Sequence, residues 1–159
     1  MIKTSNKKLK RSLSTIILYY VLMITSFLLI YFSVYLEFDY LGRYIWLKYT
    51  CIILFCLSLL FNLIVAMSDP GHLQRDESLN FIDLVEEFDP SCLCEHCKLI
   101  KSPRAKHCAL CNRCADRYDH HCPWINNCIG RGNIKRFYAF LLTQIFYLFM
   151  TIIACSLCK

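Results

Sequence analysis

Three long stretches of the chain carry no charged residue, and the rest is arranged between them. They run from Ser12 to Leu36, from Tyr49 to Met67 and from Phe137 to Cys158. About 20 apolar residues in a helix cross a hydrocarbon core about 30 Å thick, so each run predicts one transmembrane helix. Glu37, Asp39, Arg43 and Lys48 make the first connection polar, and Tyr40, Tyr44, Trp46 and Tyr49 belong at the interface, where amphipathic rings settle. After the second run, Asp69-Pro70-Gly71 stops the helix, because proline lacks the amide donor and glycine permits a sharp exit. Farther on, Leu79, Ile82, Leu84, Val85 and Phe88 recur at helical spacing with Asp83, Glu86 and Glu87 opposite. That spacing predicts a short helix over 78–88, packed on the module that follows rather than laid on the membrane.

Composition points the same way. At 57% hydrophobic residues and a mean hydropathy of +0.40, the chain is too apolar for a soluble domain of its length. A cleaved signal peptide needs a shorter apolar core and a small-residue cleavage site, and neither stands around 33–40. Lys3, Lys7, Lys8, Lys10 and Arg11 precede the first run with no acid among them. Ahead of so apolar a segment they fit a cytosolic anchor flank better than a nucleic-acid tail, and no nucleic-acid partner is expected. The loop 68–136 holds ten Lys and Arg, whereas the connection between the first two runs has only Arg43 and Lys48. This bias puts the arm and the loop in the cytosol, where thiols stay reduced and zinc is favoured over disulfides.

The stretch from Cys94 to Cys128 holds seven of the twelve cysteines and four of the five histidines. Its Cys-x-x-Cys pairs begin at Cys94, Cys108 and Cys111, a spacing that lets two thiolates grip one tetrahedral ion. Eight ligands fill two closed zinc sites, and eleven candidates are present. One interleaved partition takes Cys94, Cys97, His107 and Cys114 for one site and Cys108, Cys111, His121 and Cys128 for the other. Other pairings satisfy the same count. In this partition His96, His120 and Cys122 are spare, so a free thiol lies two residues from a free imidazole.

These spacings resemble those of the DHHC protein S-acyltransferases, the integral-membrane palmitoyltransferases. The match runs Cys94-x-x-Cys97, His107-Cys108, Cys111, Cys114, Asp119-His120-His121-Cys122, Cys128, Gly130, Asn133 and Phe137, with Asp69-Pro70-Gly71 as the family's motif after the second span. The stretch from Ser68 to Phe137 is also similar to the ankyrin-repeat branch, although no such repeat is present, and Ser102 stands where many members carry proline. The family's two interleaved zinc sites coincide with the partition above. The family usually has a fourth span followed by Thr-Thr-x-Glu, so a chain ending at Lys159 is expected to be a truncated or incomplete product.

The resemblance implies that Cys122 attacks the thioester of a long-chain acyl-CoA, becomes acylated, and passes the acyl group to a cysteine of a cytosolic or membrane protein. An ordinary thiol with pKa about 8.5 is only a few per cent thiolate at neutral pH. A zinc ion with three thiolates and a neutral imidazole carries formal charge minus one, so the help is expected from His120 as base, with Asp119 orienting its ring. Trp124 and Phe137 are candidates to wall the acyl chain. Arg104, Lys106, Arg113, Arg117 and Arg131 are candidates for the CoA phosphates. Plainer roles are expected elsewhere: packing for Cys51, Cys56, Cys155 and Cys158, a free thiol or acylation site at Cys92, and exposed polar positions for His72 and His96.

The expected fold is an all-α integral membrane protein of three transmembrane helices carrying a small cytosolic two-zinc module. Its order is a basic arm 1–11, span 12–36, lumenal loop 37–48, span 49–67, linker 68–91, cysteine-rich domain 92–136 and span 137–158, in an endomembrane such as the Golgi or ER. A catalytically incomplete, zinc-stabilised membrane adaptor is the alternative. A membrane RING-type ubiquitin ligase also interleaves two zinc sites, but has no call for the spare Asp119, His120 and Cys122.

Overall fold

The computed structural model describes residues 2–36, 44–74 and 80–157, the side chains of 2–13 and 35 excepted. Helix α1 runs Ile2–Ile30 and closes in a π-helical turn, Tyr31–Tyr35. Helix α2 runs Ile45–Met67, α3 Phe81–Glu87 and α4 Ile134–Leu157. Among the described residues three helical segments are long and apolar enough to cross a membrane: Ser14–Val34, Ile45–Met67 and Ile134–Leu157. Helix α1 starts well ahead of its apolar run, because lysine and arginine propagate a helix readily. The first connection, with Glu37, Asp39, Tyr40 and Arg43, lies outside the described residues. Lys48 sits in the first turn of α2, 6% exposed, with its ammonium 5.3 Å from the Tyr31 ring centroid.

Two apolar clusters mark the ends of the bundle. Val34, Leu47, Cys51 and Ala154 join the end of α1, the start of α2 and the end of α4. Val65, Cys122, Ile125, Ile129 and Phe140 join the end of α2 and the start of α4 to the cysteine-rich module. Helix α2 therefore runs antiparallel to its two neighbours. Between the clusters Phe27 stacks on Phe55 with centroids 4.1 Å apart, Tyr20 Oη donates to Asn62 Oδ1 at 2.7 Å, and Ser58 Oγ donates to Gln144 Oε1. Polar groups in a hydrocarbon setting must find such partners within the protein. Leu29, Phe32, Trp46, Ile145, Phe149 and Ile152 point outward, as lipid-facing residues do. Cys51 is the packing residue expected, but Cys56 and Cys155 are exposed on the outer faces, and Cys158 lies outside the described residues.

The Asp69-Pro70-Gly71 turn ends α2 and also docks the module. Asp69 Oδ1 accepts from the amides of Gly71 at 2.9 Å and His72 at 3.0 Å, and Gly71 takes φ +92°, which favours glycine. The amide of Asp116 then reaches Gly71 O at 2.8 Å and that of Gly132 reaches Pro70 O at 3.1 Å. A Cβ at Gly130 would lie 2.6 Å from Pro70 O and 2.8 Å from Asp116 O, so only glycine lets these segments meet. Asn127 Nδ2 donates to Val65 O, Ala66 O and Ser68 O at 3.2, 3.1 and 2.7 Å, capping the carbonyls at the end of α2. His72, expected to be merely exposed, is half-buried in a bridge to Ala115, its Nδ1 3.4 Å from Cys114 O.

Helix α3 is capped by Asn80, whose Oδ1 accepts from Ile82 N at 3.2 Å. Of its apolar positions only Leu84 is buried; Ile82, Val85 and Phe88 are exposed, and Leu79 lies outside the described residues. Two turns of helix bring a single one of the described apolar positions inward.

Candidate functional site

The module is built of three antiparallel two-stranded hairpins: β1 Leu93–Cys94 with β2 Leu99–Ile100, β3 Lys106–Cys108 with β4 Arg113–Ala115, and β5 His120–Cys122 with β6 Asn127–Ile129. These strands are the addition to an otherwise mostly helical chain. Each turn has a residue with positive φ, namely Lys98, Asn112 and Asn126, and these stand 14 apart in sequence. Cys94, Cys108 and Cys122 repeat at the same interval, as do His107 with His121 and Cys114 with Cys128. The module is thus one unit used three times.

The repeat explains the interleaving. A Cys-x-x-Cys turn from one hairpin meets a cross-strand histidine–cysteine pair from the next, since His107 lies opposite Cys114 and His121 opposite Cys128. The structure accordingly gathers Cys94, Cys97, His107 and Cys114 into one cluster and Cys108, Cys111, His121 and Cys128 into the other, the ligand atoms of each within 4.8 Å of one another. Cys111-x-x-Cys114, although a Cys-x-x-Cys by spacing, is divided between the two.

The donor sets fit zinc. His107 Nδ1 lies 3.7, 3.2 and 3.9 Å from the sulfurs of Cys94, Cys97 and Cys114. His121 Nδ1 lies 3.7, 3.3 and 3.8 Å from those of Cys108, Cys111 and Cys128. A tetrahedral ion with zinc–sulfur bonds of about 2.3 Å sets its ligands about 3.8 Å apart. Electrostatics agree, because hydrogen bonds from Cys128 and His121 draw the Cys111 thiol down to about 4 while its neighbours and burial push Cys128 up. Burial and the Cys94 and Cys97 thiols push Cys114 up. Crowded thiols cannot all ionise unless a cation sits among them.

The third hairpin breaks the pattern at one place. Cys122 holds the position of Cys94 and Cys108, but Ile125 stands where Cys97 and Cys111 stand. Its thiol therefore belongs to neither cluster and instead is buried, 6% exposed, against Val65, Ile125, Ile129 and Phe140. Side chains alternate along a strand, so His121 turns into the second metal cluster while His120 and Cys122 share the other face. Asp119 Oδ2 lies 3.2 Å from His120 Nδ1, which leaves Nε2 as the ring nitrogen free to take a proton. The His120 ring meets Phe137 edge-on at 5.4 Å.

The remaining candidates are dispersed. Trp124 is 47% exposed, with its ring 6.3 Å from that of Tyr19 on α1, and Phe137 is half-buried beside Phe140. Arg104, Lys106, Arg113 and Arg117 are exposed. Arg131 instead pairs with Asp116 at 3.2 Å, and Ser102 Oγ donates to the other oxygen of that carboxylate at 2.6 Å. These two bonds hold Asp116 below the usual carboxylate range. A proline at 102 would have no hydroxyl to give, so this departure from the resembled pattern adds a link. Cys92 is exposed, as is His96, whose ring lies 4.8 Å from His107. Sequence reasoning gave Asn133 only as part of the resembled motif and missed its role: its Oδ1 accepts from Gly130 N at 3.0 Å and its Nδ2 reaches Cys128 O at 2.9 Å, tying the start of α4 to a member of the second cluster. It also passed over the 14-residue repeat, which was visible in the offsets, and Tyr19, for which no local pattern exists.

A family model described as DHHC palmitoyltransferase matches residues 87–158. Palmitoyltransferase SWF1 of Kluyveromyces lactis is 58% identical over 57 residues, covering 36% of this chain and 18% of that protein. Palmitoyltransferase ZDHHC4 of Bos taurus is 38% identical over 104 residues, 63% of this chain and 29% of its own length. Palmitoyltransferase ZDHHC17 of Homo sapiens is 39% identical over 93 residues, 55% and 15% respectively. The chain spans less than a third of the length of these curated relatives.

Proposed function

From the match of residues 87–158 to the DHHC palmitoyltransferase family model, we propose that the chain is a protein S-acyltransferase of that family, moving a long-chain acyl group from acyl-CoA to protein cysteines. The observation that carries this reading is a buried thiol outside both metal clusters, on the same strand face as an imidazole whose Nδ1 is held by a carboxylate. His120 Nε2 takes the Cys122 proton, and Asp119 stabilises the resulting imidazolium. The thiolate attacks the thioester carbonyl, the CoA thiolate leaves with the proton from His120, and Cys122 is left acylated. In the second half a substrate cysteine repeats the sequence and releases Cys122.

Zinc, held by the two four-residue sets, would supply cross-links that fix β5 in place. Phe137, Phe140 and Trp124 offer apolar surface for the acyl chain at the junction of module and bundle, where burial favours the chain by about 0.8 kcal/mol per methylene. Arg104 and Lys106 suit the CoA phosphates better than Arg131, which is engaged with Asp116. The basic bias of the arm and of the loop 68–136 supports a cytosolic module, and the endomembrane location is proposed with it.

The test is to incubate the purified chain in detergent with labelled palmitoyl-CoA and score hydroxylamine-sensitive label on wild type and Cys122→Ala at equal zinc content. Label that requires Cys122 is the expected result. A zinc-loaded wild type that takes no label would instead favour the adaptor.

A further inference from the structure

Four buried polar atoms among the described side chains have no hydrogen-bond partner: Tyr19 Oη, Asn62 Nδ2, Tyr147 Oη and Thr151 Oγ1. Burying a hydroxyl without a partner is unfavourable, most of all where water is absent, so each calls for a physical reason. Tyr147 and Thr151 stand one turn apart on α4, and Asn62 engages Tyr20 through its carbonyl; these three belong to the interior of the bundle. Tyr19 lies elsewhere. It packs on the cluster of Val65, Cys122, Ile125, Ile129 and Phe140. Its ring meets Tyr20 edge-on at 5.4 Å and Trp124 at 6.3 Å. An unspent donor is therefore enclosed in the same cluster as the nucleophile, on an element far from it in sequence.

We propose that Tyr19 is the oxyanion donor of the acyl transfer, its hydroxyl hydrogen-bonding the thioester carbonyl oxygen as that oxygen gains negative charge. The proposal rests on the acyltransferase reading above. A carbonyl carbon brought to Cys122 Sγ sets its oxygen among the residues of this cluster, where Tyr19 Oη has no existing bond to break. As the sulfur–carbon bond forms, the carbonyl π pair moves to the oxygen and the Tyr19 hydrogen bond stabilises it. The pair then returns, the carbon–sulfur bond to CoA breaks, and the CoA thiolate takes the proton held on His120. Tyr19 keeps its own proton throughout. A donor set in advance in a water-poor site needs no reorganisation when charge develops, which is why such groups act strongly on rate and weakly on substrate binding. The same donor serves the second half-reaction, in which the acyl-enzyme carbonyl occupies the same place.

The test uses Tyr19→Phe in the full chain, which removes the hydroxyl and keeps the ring against Trp124. Two rates are measured on zinc-matched protein: single-turnover acylation of Cys122 by palmitoyl-CoA, and alkylation of Cys122 by iodoacetamide, which builds no oxyanion. Acylation is expected to slow by about 100- to 1,000-fold, with half-saturation by palmitoyl-CoA and the alkylation rate unchanged. Equal acylation in the two proteins would overturn the assignment. So would parallel loss of acylation and alkylation, because Tyr19 would then act only on how the thiol is presented. If Tyr19→Phe loses zinc, Tyr19→His returns a donor at the position. Partial recovery of acylation by it relative to Tyr19→Leu supports the assignment, and equal rates in those two variants remove it. A wild type that takes no Cys122-dependent label would remove the acyltransferase reading and this assignment together, an outcome distinct from all the others.

Discussion

Asp119 and His120 are adjacent in sequence, yet the 3.2 Å contact between carboxylate and Nδ1 leaves Nε2 as the nitrogen for the proposed base. A carboxylate at that position keeps the proton on Nδ1 and steadies the imidazolium when Nε2 takes a second one. Asp119→Asn leaves the shape almost unchanged and removes that preference. Single-turnover acylation of Cys122 is expected to fall about 100-fold or more while zinc content stays at the wild-type level; an unchanged rate would take Asp119 out of the mechanism. The proposed catalytic trio was readable from a motif because its three members lie within four consecutive residues. Tyr19 was not, since it packs on the cluster that holds Cys122 only when α1 folds against the module, and no periodicity encodes such a placement. Ser102 was legible only as a departure, and its bond to Asp116 gives the departure a cause.

At the scale of elements, the hairpins and the turn after α2 carry the consequences. Cys128 pairs across the strands with His121 and serves only the second cluster. Cys128→Ala is therefore expected to reduce bound zinc from two ions to one, with loss of acylation, and elemental analysis of the purified variant checks it. Loss of both ions would mean that the hairpins do not hold their sites separately. The turn responds to acid instead. The amides of His72 and then Gly71 hold the Asp69 carboxyl below its usual range, so ionised Asp69 stabilises the fold above the unfolded value of about 3.9. That contribution disappears as pH falls through the lower folded value. Thermal unfolding should accordingly find Asp69→Asn less stable than wild type near neutrality, with the gap closing in acid. A gap that is constant with pH would sink this account. The runs of uncharged residues made the spanning helices legible, because a charge in hydrocarbon is costly whatever the neighbours. The hairpins were not, since strands of two or three residues are too short to show alternation and are set by the ligands rather than by apolar pattern. Helix α3 was foreseen, and of the apolar positions among the described residues Leu84 is the one covered.

For the whole molecule, the module and the bundle meet at one apolar junction. Ile125 and Ile129 come from the third hairpin, Val65 from α2 and Phe140 from α4. The first two hairpin tips carry paired cysteines, whereas the third, with Ile125 in place of the second cysteine, is seated on the helices. A chain cut after the module, lacking α4, should still bind two zinc ions but should leave Cys122 open to rapid alkylation. Slow alkylation of that chain would show that the module alone encloses the thiol. Substituting one isoleucine for one cysteine in a repeated unit thus does more than free a sulfur. It makes the enclosure of that sulfur depend on the helices, so that the proposed nucleophile is expected to gain its surroundings only once α2 and α4 have come together.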